Sequence, residues 1–292
     1  MAVSDLRRWV FGREIATVEA PHQAISKVVG LAVFASDSLS SVAYAGGEIL
    51  LVLAVLGSAN YWLAVPITVA ICVLLIILTF SYRQTIFAYP GGGGAYIVAR
   101  DNLGEAPAQA AGAALLTDYV LTVAVSIASA VDQIASAFPV LFDYKVELSL
   151  LLILLMALIN LRGVKESGRV FATPTYFFVA MMLIMIGVGF WQAFSGTLGT
   201  VKFASGVETP TALTMSGFAF FFLLLRAFSS GTTALTGVEA ISNGITAFKE
   251  PRSRNAATTL LWDAALLMIM FLGLGILGYL VNARPSEEEV LI

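Results

Sequence analysis

Seven long apolar stretches, parted by short polar loops, leave this chain one solvent in which to fold. They run roughly over residues 27–57, 61–82, 108–138, 147–161 with its flanks, 171–194, 211–248 and 257–282. A helix that crosses a bilayer needs about 20 mostly apolar residues, because a rise of about 1.5 Å per residue must span a hydrocarbon core of about 30 Å. Charge closes off the soluble alternative. Only 12% of the 292 residues are charged, about half the share a soluble domain needs to solvate its surface. That excludes a cytosolic enzyme, a nucleic-acid binder and a disulfide-rich secreted module. The net charge of −3 is too small to call for a polyanionic partner. Cys72 stands alone in an apolar run, so there is no disulfide framework and no thiolate zinc site. His22 precedes the first apolar run, which removes histidine chemistry from the membrane. Residues 1–26 are polar and basic, without the compact apolar core of a cleavable signal peptide.

Basic residues set the expected orientation. One set of loops carries Arg7, Arg8, Arg13, Lys27, Arg83, Arg100, Arg162, Lys165, Arg169, Lys249, Arg252 and Arg254; the other carries Lys145, Lys202 and Arg284. Twelve against three places the N-terminal segment 1–26 in the cytoplasm and the chain in the plasma (inner) membrane. Seven spans then put residues 285–292 outside, in an acidic loop at which a longer protein is expected to be truncated.

Two spans carry polar interruptions. The first reads Phe34-Ala35-Ser36-Asp37-Ser38-Leu39-Ser40-Ser41, and the sixth reads Ser229-Ser230-Gly231-Thr232-Thr233-Ala234-Leu235-Thr236-Gly237. Ser and Asp compete with the helical ladder and Gly loosens it. Breaks are therefore expected around Ser36 and Ser38, and around Gly231 and Gly237. At membrane depth such breaks are tolerated where they line a cavity or are buried in protein, and matched breaks in two halves mark a carrier's binding site. The competing reading is that the small residues merely let helices pack closely. Pairing span 1 with span 6 makes a five-helix repeat, inverted because its unit is odd. The first repeat, about 27–194, is complete; the second, about 211–284, is only begun. The transmembrane domain as a whole is 27–284.

Ionisable groups inside spans are costly and therefore functional candidates. The acids in or near the cores are Asp37, Glu48, Asp118, Asp132, Glu239 and Asp263; the internal base is Arg226. This excess of acid points to a cationic cargo, a proton relay, or both. Asp118, Thr122 and Ser126 recur at i, i+4 and i+8 and share a helical face, with Tyr119 beside them. Asp37, Ser41 and Tyr44 share a face if that stretch is helical, and Thr236 and Glu239 are three apart. Carboxylate and hydroxyl oxygens suit a hard cation. The run Tyr89-Pro90-Gly91-Gly92-Gly93-Gly94-Ala95-Tyr96 lacks the Lys-Ser/Thr of a phosphate cradle and is expected to be a flexible cytoplasmic hinge.

The run Ala35 to Ala45 in span 1 resembles potassium importers of the KUP/KimA type, within the amino acid–polyamine–organocation (APC) permease superfamily. So do Gly237-Val238-Glu239-Ala240-Ile241-Ser242-Asn243, Phe248-Lys249-Glu250-Pro251-Arg252 and Leu116-Thr117-Asp118-Tyr119-Val120. The resemblance implies an all-α multispanning fold with the APC/LeuT-type inverted repeat and broken spans 1 and 6. It implies proton-coupled potassium uptake by alternating access, with no catalytic residues and no cofactor beyond transported K+ and H+. The potassium ligands it implies are Asp37, Tyr44, Asp118, Tyr119, Thr122, Ser126, Thr236 and Glu239, with Asp118 and Glu239 the candidates for proton coupling. It also implies a C-terminal region, absent here, through which a homodimer would form; the other partner is the lipid bilayer, not nucleic acid.

The alternative within carriers is an amino-acid or polyamine permease, although Asp37 in span 1 would repel a substrate carboxylate. A seven-span receptor is disfavoured by the cytoplasmic N-terminus and by the lack of a Schiff-base lysine in span 7. A membrane hydrolase lacks a nucleophile–base pair.

Overall fold

A computed structural model describes residues 24–161, 164–201 and 217–283. Most of the N-terminal segment with Arg7, Arg8, Arg13 and His22, the loop cations Arg162, Lys202 and Arg284, and the acidic ending 285–292 lie outside the described residues.

The described chain is helical. Its helices are α1 (Lys27–Phe34), α2 (Ser36–Leu53), α3 (Ala64–Ala88), α4 (Gly94–Leu103), α5 (Glu105–Ala137), α6 (Lys145–Asn160), α7 (Val164–Ser195), α8 (Phe218–Gly231), α9 (Ala240–Asn243) and α10 (Arg252–Leu280). Among the described residues, six stretches are long and apolar enough to cross a membrane: Ser36–Leu56, Asn60–Ala88, Glu105–Ala137, Val170–Ser195, Phe218–Leu235 and Arg252–Leu280. The expected fourth span corresponds to α6, whose 16 residues reach only about 24 Å at the standard rise. α3 shows why these segments are helices despite many β-branched residues. In lipid every backbone N–H and C=O must be satisfied within the segment, which outweighs the weak intrinsic preference of Val and Ile. Val69, Val73, Ile76, Ile77 and Phe80 are exposed along it, a surface that only lipid or protein would cover.

The chain divides into two compact units. The first comprises Met1–Asp37, Thr79–Phe177 and Gly237–Asp263; the second comprises Ser38–Leu78, Phe178–Thr236 and Ala264–Ile292. Two of the dividing points, 37/38 and 236/237, fall in the interrupted spans.

In the first unit the core gathers on Phe248, which is fully buried. Its ring stacks on Phe34 with centroids 5.5 Å apart. Gly30 makes room for it: a Cβ there would lie 2.8 Å from Phe248 Cζ. Backbone pairing adds to this packing. Ile25 N–H donates to Ala247 O at 2.9 Å and Lys249 N–H to Ile25 O at 3.0 Å, so the entry to α1 is held to the exit of span 6.

In the second unit Gly231 packs against α2 and α3. A Cβ on it would come within 2.6 Å of Ile49 Cγ1 and Ile71 Cδ1. Its φ of −68° is helical; Gly231 is the last residue of α8, and the break expected around it opens at the next residue.

Both spans are interrupted, narrowly in span 1 and widely in span 6. In span 1 the helix lapses only at Ala35, and Ser36 already opens α2. Ser38 lies buried in the first turn of α2, so it breaks nothing. The Ser36 hydroxyl donates back to Val33 O at 3.3 Å. In span 6, α8 ends at Gly231, a 3₁₀ turn covers Thr232–Leu235, Thr236 is extended and Gly237 adopts φ +86°. Helix resumes for only four residues, Ala240–Asn243.

Candidate functional site

The eight expected ligands fall into two sets, one in each unit. In the first unit Asp37, Asp118 and Glu239 lie close enough to repel one another electrostatically. Three elements bring them there: the first turn of α2, the middle of α5, and the residue that opens α9. The approach depends on Gly237. A Cβ at that position would sit 2.8 Å from Asp37 Oδ2 and 2.9 Å from its Cγ. The absence of a side chain and the left-handed backbone are thus both required.

Glu239 is the most confined of these acids. It is 8% exposed, and its Oε1 has no hydrogen-bond partner. The Tyr119 hydroxyl faces its carboxylate within hydrogen-bonding reach. That hydroxyl also accepts from Asn243 Nδ2. Since Tyr has a single O–H proton, accepting from Asn243 leaves that proton for Glu239. Tyr82 adds a second phenol near Glu239 and Asp118. Along α5, Thr122 is buried and the Ser126 Oγ is buried without a partner; both continue the face begun by Asp118.

In the second unit the hydroxyls of Tyr44, Ser41 and Thr236 form a chain. Ser41 Oγ lies 3.0 Å from Tyr44 Oη and 3.1 Å from Thr236 Oγ1. Thr236 donates its proton to Thr233 O at 2.8 Å. The Tyr44 hydroxyl offers an oxygen to a cation. Thr233 and Thr232 likewise donate to Ser230 O and Ser229 O, capping the carbonyls that the end of α8 leaves open.

Asn243 and Tyr82 were not among the expected site residues. Asn243 falls at the end of the sequence run that carried the family resemblance, but its partner Tyr119 is 124 positions away, and no local pattern reports such a contact. Ser41 was legible as the i+4 neighbour of Asp37. Asp132 takes the structural role: it pairs with Lys145 at 2.8 Å, with both side chains well exposed. Asp263 is fully buried, and Arg226 is exposed. The Gly-rich turn is docked rather than free, since Gly93 N–H donates to Asn243 O at 3.3 Å. A cavity of about 540 Å³ in the second unit, bounded by Gly46, Ile49, Trp62, Thr68, Gly189 and Gln192 among others, includes none of the eight. Its walls are largely apolar and supply few oxygens.

Residues 24–289 match a family model described as amino acid permease. Over 289 residues the chain is 46% identical to the potassium transporter KimA of Bacillus subtilis (strain 168). That alignment covers 99% of this chain and 47% of the relative, so the chain spans about half the length of the curated protein it matches. It is a multi-pass membrane protein.

Proposed function

Because the chain belongs to the amino acid permease family, we propose that it is the cation-handling part of a secondary active transporter that imports potassium, coupled to protons, by alternating access. The observation that carries this reading is the set of three mutually repelling carboxylates, Asp37, Asp118 and Glu239, gathered around phenol hydroxyls in the first unit. Placing like charges together at membrane depth is costly and is repaid when a cation or proton arrives. The relative's cargo, potassium, fits this chemistry. An amino-acid substrate would need backbone N–H groups freed in span 1 to hold its carboxylate. Here the Ala35 N–H is already bonded to Leu31 O, and Asp37 follows two residues later.

The two acids take different roles in this reading. An ionised carboxylate buried with an unpaired oxygen carries a penalty of several kcal/mol. A proton on Glu239 relieves it, so Glu239 is the proton carrier. Asp118, half-exposed on α5, meets the cation together with Asp37 and the hydroxyls of Tyr119, Thr122 and Ser126. The N-terminus is cytoplasmic, from the charge asymmetry of the loops.

The test is potassium uptake by the complete protein in a host lacking its own importers, measured across external pH. Glu239→Gln is expected to abolish stimulation by acid while uptake at a fixed pH persists. Asp118→Asn is expected to raise the half-saturating potassium concentration by about tenfold or more, the factor for losing a charged partner in a desolvated site. Unchanged affinity and unchanged acid stimulation in both variants would remove these roles. Competition of potassium uptake by amino acids or polyamines would move the reading to an organic-solute permease.

A further inference from the structure

The four glycines of the turn between α3 and α4 are not equivalent. Gly91 and Gly93 are exposed, and a Cβ on Gly91 would meet nothing within 4 Å. Gly92 and Gly94 are buried, and both face Asn243. A Cβ on Gly92 would lie 2.7 Å from Asn243 O, and one on Gly94 would overlap Asn243 Oδ1. Gly93 N–H donates to that same backbone oxygen at 3.3 Å, while the Asn243 N–H donates to Glu239 O at 3.0 Å. Asn243 closes α9, a helix of four residues. A helix that short does not hold its own register, because nucleating a turn costs more than its few bonds return. The turn supplies what α9 lacks, a wall on which the end of the helix rests.

The same wall decides which way the Asn243 amide faces. Its oxygen carries no hydrogen and its nitrogen carries two. Against Gly94, where an added methyl would overlap the amide, the slimmer oxygen end fits. Oδ1 lies there, buried and without a hydrogen-bond partner. A buried acceptor left unpaired is unfavourable, so shape, not hydrogen bonding on that side, sets the amide. Its NH₂ end points the opposite way and donates to Tyr119 Oη. The Tyr119 hydroxyl also faces Glu239. With a fixed donor on one side and Glu239 on another, the phenol oxygen keeps its remaining lone pair in one direction.

We infer that Asn243 is a positioning residue for the cation site: it fixes the direction of the Tyr119 hydroxyl, and the buried glycines Gly92 and Gly94 fix Asn243. The Gly-rich turn thereby sets the cation affinity of the site through two intervening side chains, without supplying a ligand itself. A ligand oxygen held in place costs less to order when the cation arrives than one that must be turned toward it. The inference rests on the reading of Tyr119 as a cation ligand. It adds a chain of contacts, Gly94 to Asn243 to Tyr119, that all lie in the first unit.

The experiment is a double-mutant cycle on potassium uptake by the complete protein, at one fixed pH, in a host lacking its own importers. Asn243→Ala and Gly94→Ala are each expected to raise the half-saturating potassium concentration by about fivefold, the factor worth one ordinary hydrogen bond, with maximal uptake per folded protein retained. Gly91→Ala, with open space around its methyl, should leave the value unchanged. In a Tyr119→Phe background, which has no hydroxyl to position, neither Asn243→Ala nor Gly94→Ala should raise it further, because contacts that act as one unit are not additive. Asn243→Ala carries the test alone where Gly94→Ala does not fold. A full rise for Asn243→Ala in the Tyr119→Phe background overturns the inference, since Asn243 then acts by another route. An unchanged value in Asn243→Ala, with a raised one in Tyr119→Phe, overturns the inference and leaves Tyr119 a ligand. A raised value in Asn243→Ala with none in folded Gly94→Ala removes the turn from the chain. An unchanged value in Tyr119→Phe overturns both the inference and the reading of Tyr119 on which it rests.

Discussion

Spans 1 and 6 both carry a cluster of small and hydroxyl-bearing residues, yet one stays nearly helical and the other comes apart. In span 1 the lapse is a single residue, Ala35, with φ −93° and ψ −5° and its N–H still bonded to Leu31 O. In span 6 the chain passes through a 3₁₀ turn, an extended Thr236 and a left-handed Gly237 before four residues of helix resume. The difference shows that hydroxyls do not unwind a helix in lipid. They return their protons to carbonyls one turn back, as Ser36 does to Val33 and Thr232 to Ser229. A glycine at positive φ is what redirects the chain. The functional consequence follows. Span 1 presents its chemistry as side chains on a continuous face, Asp37, Ser41 and Tyr44, whereas span 6 bends its backbone to bring Glu239 to Asp37 and Asp118.

The sharpest way to break this contrast is Gly237→Ala. A left-handed alanine costs about 1–2 kcal/mol in backbone strain alone, and its Cβ would press on Asp37 at 2.8–2.9 Å. Potassium uptake by the complete protein is expected to fall by more than about tenfold, the factor for 1.4 kcal/mol or more. Near-normal uptake would mean that the span 6 bend does not position the acids. Gly231→Ala comes next and tests packing rather than bending. The added methyl meets Ile49 and Ile71 at 2.6 Å, and overpacking of this kind costs about 1–3 kcal/mol. The expected result is a lower Tm in detergent or nanodiscs, with the half-saturating potassium concentration little changed in the protein that remains folded.

Span existence and the broad seat of the chemistry were legible in the sequence, because both are local. Twenty apolar residues in a row announce a membrane helix, and Asp118, Thr122 and Ser126 announce a shared face through their spacing alone. Span 6 was legible as broken because Gly237 sits where helix should continue. The narrow lapse at Ala35 was not. Ser and Asp are common both to broken helices and to helices that bond their own hydroxyls back, and only the structure shows which carbonyls they use. Gly231 ends α8 where a break was expected, but its packing role was hidden for a related reason: the facing residues, Ile49 and Ile71, are known only from the fold. The Gly-rich turn is the clearest case. Four glycines in a row read as freedom, but three of them have positive φ, and Asn243, some 150 positions later, occupies the space that side chains on Gly92 and Gly94 would need.

The hydroxyl chain of the second unit carries a prediction of intermediate size. Ser41→Ala removes the hydroxyl that joins Tyr44 to Thr236. The half-saturating potassium concentration is expected to rise by about fivefold, the factor for one hydrogen bond of ordinary strength, with Tyr44→Phe giving at least as large a rise because it removes an oxygen outright. If neither variant changes affinity, the cargo does not use this chain, and the side-chain face of span 1 reduces to Asp37.

The smallest expected effect asks whether span 1 is truly a helix throughout its function. Gly46 lies inside α2, and a Cβ there meets nothing within 4 Å. In a helix that never unwinds, Gly46→Ala should raise stability by about 0.5–1 kcal/mol, since it removes freedom only from the unfolded chain. Ser36→Ala should change it by no more than about 0.5 kcal/mol, because its one described bond is a weak return to Val33 O. A higher Tm for Gly46→Ala with unchanged uptake keeps span 1 and span 6 in separate classes, one rigid and one bent. A higher Tm with slowed uptake says that span 1 must open near Gly46 during the transport cycle. Its small residues would then hold a second break in reserve, and the contrast between the two spans would be one of timing, not of kind.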